Sequence, residues 1–151
     1  MHGLFNTLAL KPTAKKEFQA ISDMEKADDT HQLIIPHTKD KHLEESNKPH
    51  IIYLSIIVDD VLSGFIILAL EGTDTVEFRR IVVGDKGKGI GQSAIRAMEN
   101  YCSQTLTRKR IWLDVFETNT RGKHIYSKLG YQPFSTSEYK GNTLLLMEKT
   151  L

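Results

Sequence analysis

Four glycines, Gly84, Gly87, Gly89 and Gly91, lie close together between two apolar segments. Before them runs Ile81, Val82 and Val83; after them Ile90, Ala94, Ala97, Met98, Tyr101 and Cys102 recur at helical spacing. Strand, glycine-rich turn and helix in that order have a chemistry of their own. Glycine lets the main chain approach a bound group closely. The first helical turn adds N–H groups with no intrahelical acceptor and a partial positive charge. Together they suit a phosphate or pyrophosphate. Two nucleotide patterns fail on the details. Gly84 and Gly89 have the Walker glycine spacing, but Ile90 and Gly91 stand where Lys and Ser/Thr are required. Gly87, Gly89 and Gly91 are evenly spaced, and no βαβ unit precedes them, so the dinucleotide fingerprint fails too. A third pattern, Gln/Arg-x-x-Gly-x-Gly/Ala, is met by Lys86-Gly87-Lys88-Gly89-Ile90-Gly91, with Lys86 in the first position. The plain alternative is a flexible connector.

The elements that must hold this turn can be read along the chain. Residues 4–10 form a short apolar run, a candidate first strand. Pro12 and Thr13 open a stretch with Ala14, Phe18, Ile21 and Met24 on one face, a candidate helix. Residues 27–48 are polar and rich in histidine, broken by residues 33–36, with a short helix expected over 39–46. So long a connection suggests a lid or binding loop. Residues 51–58 and 61–70 are β-branched apolar runs joined by Asp59 and Asp60, a hairpin. A third strand leads into the glycine turn, so an antiparallel meander precedes it. After the long helix come a strand over 111–116, a helix over 119–129 closed by Gly130, and a final hairpin of 131–135 and 143–147. This predicts an α/β (α+β) domain with a mixed, mostly antiparallel sheet and helices on both faces.

The glycine turn and the segment I-W-L-D-V-F-E-T-N-T-R-G-K-H-I-Y-S-K-L-G-Y over residues 111–131 together resemble the GNAT N-acetyltransferases. The resemblance covers residues 51–147 well and the first fifty by element order alone. Asn119, Tyr126 and Gly130-Tyr131 sit at the family's relative spacings. Two departures stand out: the turn has Gly84-Asp85 in place of a proline and is one residue shorter, and Gly122 replaces a common alanine.

The resemblance implies acetyl-coenzyme A as acetyl donor and a primary amine of a small molecule or peptide as acceptor. Main-chain groups of Ile81, Val82 and Val83 would meet the pantetheine arm. Those of Lys86, Gly87, Lys88, Gly89, Ile90, Gly91 and Gln92 would hold the pyrophosphate. Asn119 would help hold the cofactor; its simpler role is a helix N-cap. Tyr126 would serve the departing sulfur, since a phenol near pKa ~10 can protonate a thiolate whose thiol is near ~8.5. The simpler alternative is a packed core tyrosine. Glu77 is the candidate base for the amine. By strict alternation it is in phase with Arg79, Ile81 and Val83; a bulge would break that phase and leave it paired with Arg79 or Arg80. Asp114 and Glu117 either are solvated or face the acceptor, and His124 is expected to be exposed. The histidines of residues 27–50 lack tight metal-ligand spacing, so a solvated loop is expected there and no metal.

The 151 residues suffice for one domain with a real core. A net charge of +1 gives no electrostatic case for nucleic acid. No apolar run is long enough to cross a bilayer, and no signal pattern opens the chain. The single cysteine, Cys102, excludes an internal disulfide and suits a cytoplasmic location. Its place on the packed helix face argues against a cysteine relay. A homodimer through a strand edge or the C-terminal hairpin is compatible with this organisation. The rival classes are a non-catalytic acyl-coenzyme A sensor and, more distantly, a dinucleotide-binding oxidoreductase.

Overall fold

The computed structural model describes residues 5–28, 36–84 and 89–151. Seven strands form one sheet in the order β1-β2-β3-β4-β5-β7-β6: Leu8–Pro12, Ile51–Val58, Val61–Glu71, Thr75–Val83, Arg110–Phe116, Gln132–Tyr139 and Asn142–Thr150 for β1 to β7. The helices are α1 (Phe18–Ala27), α2 (Lys39–Ser46), α3 (Ile90–Gln104) and α4 (Thr120–Lys128). Every pairing is antiparallel except β4 with β5. The expected mixed sheet is therefore what forms.

Strand alternation divides the core between the two faces. Leu54, Ile56, Ile66, Leu68, Val76, Phe78, Ile111 and Leu113 share one cluster with Ile90, Ala94 and Met98 of α3. Tyr53, Phe65, Ile67, Ala69 and Val82 share the other with Phe18 and Ile21 of α1, and Leu43 of α2 packs beside them. Helices thus cover both faces. The two tight hairpins have left-handed residues at both turn positions: Asp59 and Asp60 at φ 48° and 67°, Lys140 and Gly141 at φ 50° and 81°. That twist suits a two-residue connection.

Three boundaries differ from expectation. The first strand runs to Pro12 rather than ending at Leu10. Proline is tolerated there because β1 is an edge strand, and the amide of Thr13 still donates to the Tyr53 carbonyl at 3.0 Å. The helix expected from Pro12 therefore starts later, at Phe18, after a 3₁₀ turn over Lys15–Glu17. The last hairpin is longer on both strands than its apolar residues indicate.

Where β4 meets β5 is decided by a few main-chain contacts. The Arg108 guanidinium donates to the carbonyls of Gly72 at 2.7 Å and Thr75 at 3.3 Å. The amides of Lys109 and Arg110 donate to the Asp74 carbonyl at 2.8 and 3.0 Å. Parallel pairing then covers only Thr75–Arg110, Val76–Ile111 and Glu77–Trp112. Beyond Glu77 the pairing ends, and the β5-facing edge of β4 from Phe78 to Val83 has no strand paired to it among the described residues. On its other edge β4 stays paired to β3 as far as Val83–Gly64.

Gly64 makes that last pairing possible. A Cβ there would stand 2.3 Å from the Val82 carbonyl oxygen and 3.1 Å from Val83 Cα. Both are main chain and cannot swing away. Gly64→Ala should therefore cost at least about 1–3 kcal/mol, the usual scale for overpacking, seen as a lower urea midpoint at unchanged m-value.

Candidate active site

A bulge at Arg79 sets the orientation of everything on β4. Ile67 pairs with Arg80 while Leu68 pairs with Phe78, leaving Arg79 as the extra residue. Val76 and Phe78 face the α3 side before the bulge, and Ile81 and Val83 face it after. The strict alternation expected for Glu77, Arg79, Ile81 and Val83 is therefore overturned. Glu77 lies on the other face from Ile81 and Val83. Its Oε1 accepts from Arg79 Nε at 3.2 Å and Nη2 at 2.9 Å, so the pairing that a bulge permits is the one that forms. Glu77 still stands at the last β4–β5 pair, where the strands begin to open.

Tyr126 approaches the same opening from α4. Its ring meets Phe78 edge-on at 6.2 Å and Tyr131 at 5.9 Å. Its hydroxyl makes no hydrogen bond among the described residues. Burial, then the negative charge of Asp114, pushes that hydroxyl up to about 12. The phenol therefore keeps its proton across the neutral range.

At the far end of the free edge lies the start of α3. Gly89 is the N-cap, at φ 76°, a conformation that favours glycine. Among the described residues no side chain caps this terminus, and the first turn holds no acidic residue. The amide of Ser93 is the first to reach back, to the Gly89 carbonyl at 3.3 Å, so those of Ile90, Gly91 and Gln92 have no intrahelical acceptor. A Cβ on Gly91 would meet only Val83 Cγ2, at 4.0 Å. The free edge of β4 thus connects Tyr126, at Phe78, with an uncapped helix N-terminus, at Val83. These sites are about 15 Å apart along the strand. An extended arm with a sulfur at one end and a diphosphate at the other fits that layout. Lys86, Gly87 and Lys88 lie outside the described residues, as do residues 33–35.

Asn119 is the N-cap of α4, and its Oδ1 accepts from the Gly122 amide at 2.9 Å. The departure at Gly122 has a local reason: a Cβ there would stand 2.7 Å from Asn119 Nδ2 and 2.9 Å from its Cγ. Glycine lets the asparagine fold tightly over the helix end. That use engages the oxygen of Asn119. Glu117 pairs with Lys123 at 3.2 Å, and His124 is exposed. Cys102 is fully buried beside Met98, and burial, then the charge of Glu99, pushes its thiol up to about 12. A neutral thiol packed in the core is a poor relay.

Asp114 is the acidic group that the sequence reading left unassigned. It lies two residues beyond Trp112 on the same side of β5, opposite Leu146 of β7. It is exposed, yet the surrounding sheet partly desolvates its carboxyl. That desolvation, then the charge of Glu77, raises its carboxyl above the usual range, against the opposing charges of Arg79 and Arg80. Asp114 makes no hydrogen bond or ion pair among the described residues.

The solvated loop expected around the histidines is overturned at His42. His42 is fully buried, with Nδ1 2.6 Å from Tyr53 Oη and Nε2 2.9 Å from Glu25 Oε1. Glu25 also accepts from the His37 amide at 2.7 Å and pairs with Arg80 at 3.1 Å. Burial alone would raise Glu25; hydrogen bonds from His42 and His37 and the charge of Arg80 outweigh it and hold the carboxyl below its usual value. The network ties α1 and α2 to β4 one residue past the bulge. Along the chain Glu25 is 17 residues from His42 and 55 from Arg80, so no local spacing announces it. Among the described residues no cluster of His, Cys, Asp and Glu could hold a metal ion. No helix among them is long and apolar enough to cross a membrane.

Residues 15–131 match the family model described as Acetyltransferase (GNAT) family. The spermine/spermidine N(1)-acetyltransferase of Bacillus subtilis (strain 168) is 27% identical over 63 residues, 42% of this chain and 41% of that protein. The match thus spans less than half the length of the curated relative. Among solved structures, a chimera of the Vibrio cholerae spermidine N-acetyltransferase superposes with a TM-score of 0.84 at 18% identity, covering 96% of each chain. The Vibrio cholerae enzyme in complex with CoA and spermine superposes with a TM-score of 0.81 at 17% identity, covering 95% of each. At such identities the likeness is one of fold.

Proposed function

The chain belongs to the acetyltransferase (GNAT) family, and from that premise we propose that it takes an acetyl group from acetyl-coenzyme A and passes it directly to a primary amine of a small molecule. All 151 residues would act as one domain. The observation that carries this reading is the edge of β4, unpaired among the described residues, which leads from the hydroxyl of Tyr126 to the start of α3.

Acetyl-coenzyme A supplies the activated thioester. Main-chain groups of Ile81, Val82 and Val83 would bind its arm as a strand binds its neighbour. The amides of Ile90, Gly91 and Gln92 would receive its diphosphate, behind the turn at Gly89. Asn119 would border the cofactor with its amide nitrogen. Tyr126 would hold a proton at the departing sulfur. Glu77 would receive the proton of the amine, directly or through water. Its partnership with Arg79 lowers its availability, which favours the route through water.

The relatives' names, spermine and spermidine acetyltransferases, support a polyamine-like amine as the acceptor. The test is coenzyme A release measured against a panel of mono-, di- and polyamines. Release that depends on the amine is the expected result. Tight binding of acetyl-coenzyme A with no turnover on any amine would make the protein an acyl-coenzyme A sensor instead.

A further inference from the structure

We infer that Asp114 is the specificity-determining residue of the acceptor site: its carboxylate takes up a second, non-reacting ammonium group of the amine. This rests on the acetyl-transfer reading above. The argument begins from the sheet face on which Asp114 stands. Helices α1 and α2 cover that face over β2 to β4. Over β5 and β7 the same face carries Trp112, Phe116, Leu144 and Leu146, and none of these belongs to either core cluster. The register sets them around Asp114: Trp112 and Phe116 two residues to either side on β5, and Leu146 directly opposite. A carboxylate with no cation of its own thus stands in an apolar strip at the mouth of the β4–β5 opening.

Glu77, the other carboxylate at this opening, already has a cation, since Arg79 donates to it twice. An incoming ammonium therefore gains more from Asp114. The two carboxylates come from the same sheet face. Glu77 pairs with Trp112, and Asp114 is two residues further along β5; about 6.6 Å along the strand and about 4.8 Å across the pair set the two backbones roughly 8 Å apart. Glu77 belongs near the reacting nitrogen, so Asp114 sits one short alkyl spacer away from it. A methylene chain would lie along Trp112 and Leu146 while its far ammonium meets Asp114. Alkyl diamines and their longer homologues have this pattern, and simple monoamines lack its second charge. The charge of Asp114 is also costly to the folded protein, as expected of a group kept for a ligand.

The test compares Asp114→Asn with the wild type using 1,4-diaminobutane and butylamine. The expected result is a KM for the diamine raised on the order of tenfold or more, the scale of a lost hydrogen bond to a charged group. kcat should stay nearly unchanged, and the KM for butylamine should stay within about twofold. Calorimetric titration of the same two amines into the protein with coenzyme A provides a readout independent of turnover. The wild type should favour the diamine, and the variant should lose that preference. Because the carboxyl of Asp114 is raised, its ionised form penalises folding at pH values above its folded pKa. The variant should therefore melt at a higher temperature at pH 7, which separates lost recognition from lost structure.

An equal fall in kcat for both amines would make Asp114 the base and overturn the inference. Unchanged diamine preference in both measurements would overturn it as well. Should no amine be acetylated while the calorimetric preference persists and depends on Asp114, the acetyl-transfer reading fails and the cation site stands.

Discussion

Replacing Tyr126 by phenylalanine should lower kcat about a hundredfold, the lower end of the range for a positioned acid and roughly 2.7 kcal/mol of barrier. The affinity for acetyl-coenzyme A should change little. Phenylalanine keeps the ring between Phe78 and Tyr131 and removes only a hydroxyl that bonds to nothing among the described residues. The pH dependence makes the prediction specific. The hydroxyl sits at about 12 because burial and the charge of Asp114 disfavour its ionised form. The wild type should therefore show no alkaline loss near pH ~10, where an ordinary tyrosine would ionise. A departing alkyl thiol with pKa near ~8.5 needs a proton donor chiefly below that value. The deficit of the variant should thus be widest at neutral pH and narrow as the pH passes about 9. Stopped-flow or steady-state release of coenzyme A from pH 6 to 10 measures it. A deficit constant over that range, accompanied by weaker cofactor binding, would mean that Tyr126 serves packing rather than proton transfer.

The parts of this site that announced themselves in the sequence share one property: their physics is local. The glycine turn needs a left-handed residue at Gly89 and an open first helical turn, and both are written in adjacent residues. The β2–β3 hairpin follows from two apolar runs around Asp59-Asp60. What stayed hidden depends on contacts between distant segments. The bulge at Arg79 exists only relative to Ile67 and Leu68 of the neighbouring strand, so alternation read along β4 misassigned the face of Glu77. His42 looked like a solvated histidine because Glu25 and Tyr53 lie on other elements. Strand β6 is exposed along its whole length, so it has no buried face to leave an apolar alternation beyond Ser135. Asp114 was visible as an acid on a strand, but that no ion pair engages it among the described residues appears only once β4 and β5 separate.

Removing the Glu25 carboxylate should be the most destabilising single change in the segment that covers β4. Glu25 is almost fully buried and Arg80 nearly so, with side chains 2% and 16% exposed. Breaking a buried pair by deleting one partner costs about 3–5 kcal/mol, because the remaining charge is stranded. Glu25→Ala would strand Arg80 and also deprive His42 and the His37 amide of their acceptor. For a chain of this size that corresponds to a melting point lower by roughly 10 °C. Glu25→Gln keeps an acceptor for His42 and His37 and loses only the charge opposite Arg80, so it should recover part of the loss. The sign of the pH effect follows from the lowered carboxyl. The folded state prefers ionised Glu25, so its contribution is fully present above the unfolded-state pKa near 4.5. It is lost as the pH falls through the lower folded-state value. Wild-type stability should therefore drop below about pH 4.5 more steeply than that of Glu25→Gln, and urea denaturation at pH 7 and pH 4 measures both slopes. Because Arg80 follows the bulge directly, the change should also raise the KM for acetyl-coenzyme A, whose arm is assigned to Ile81, Val82 and Val83. Parallel slopes for the two proteins would mean that the hydrogen bonds to His42 and His37, rather than the charge of Arg80, hold α1 and α2 over the sheet.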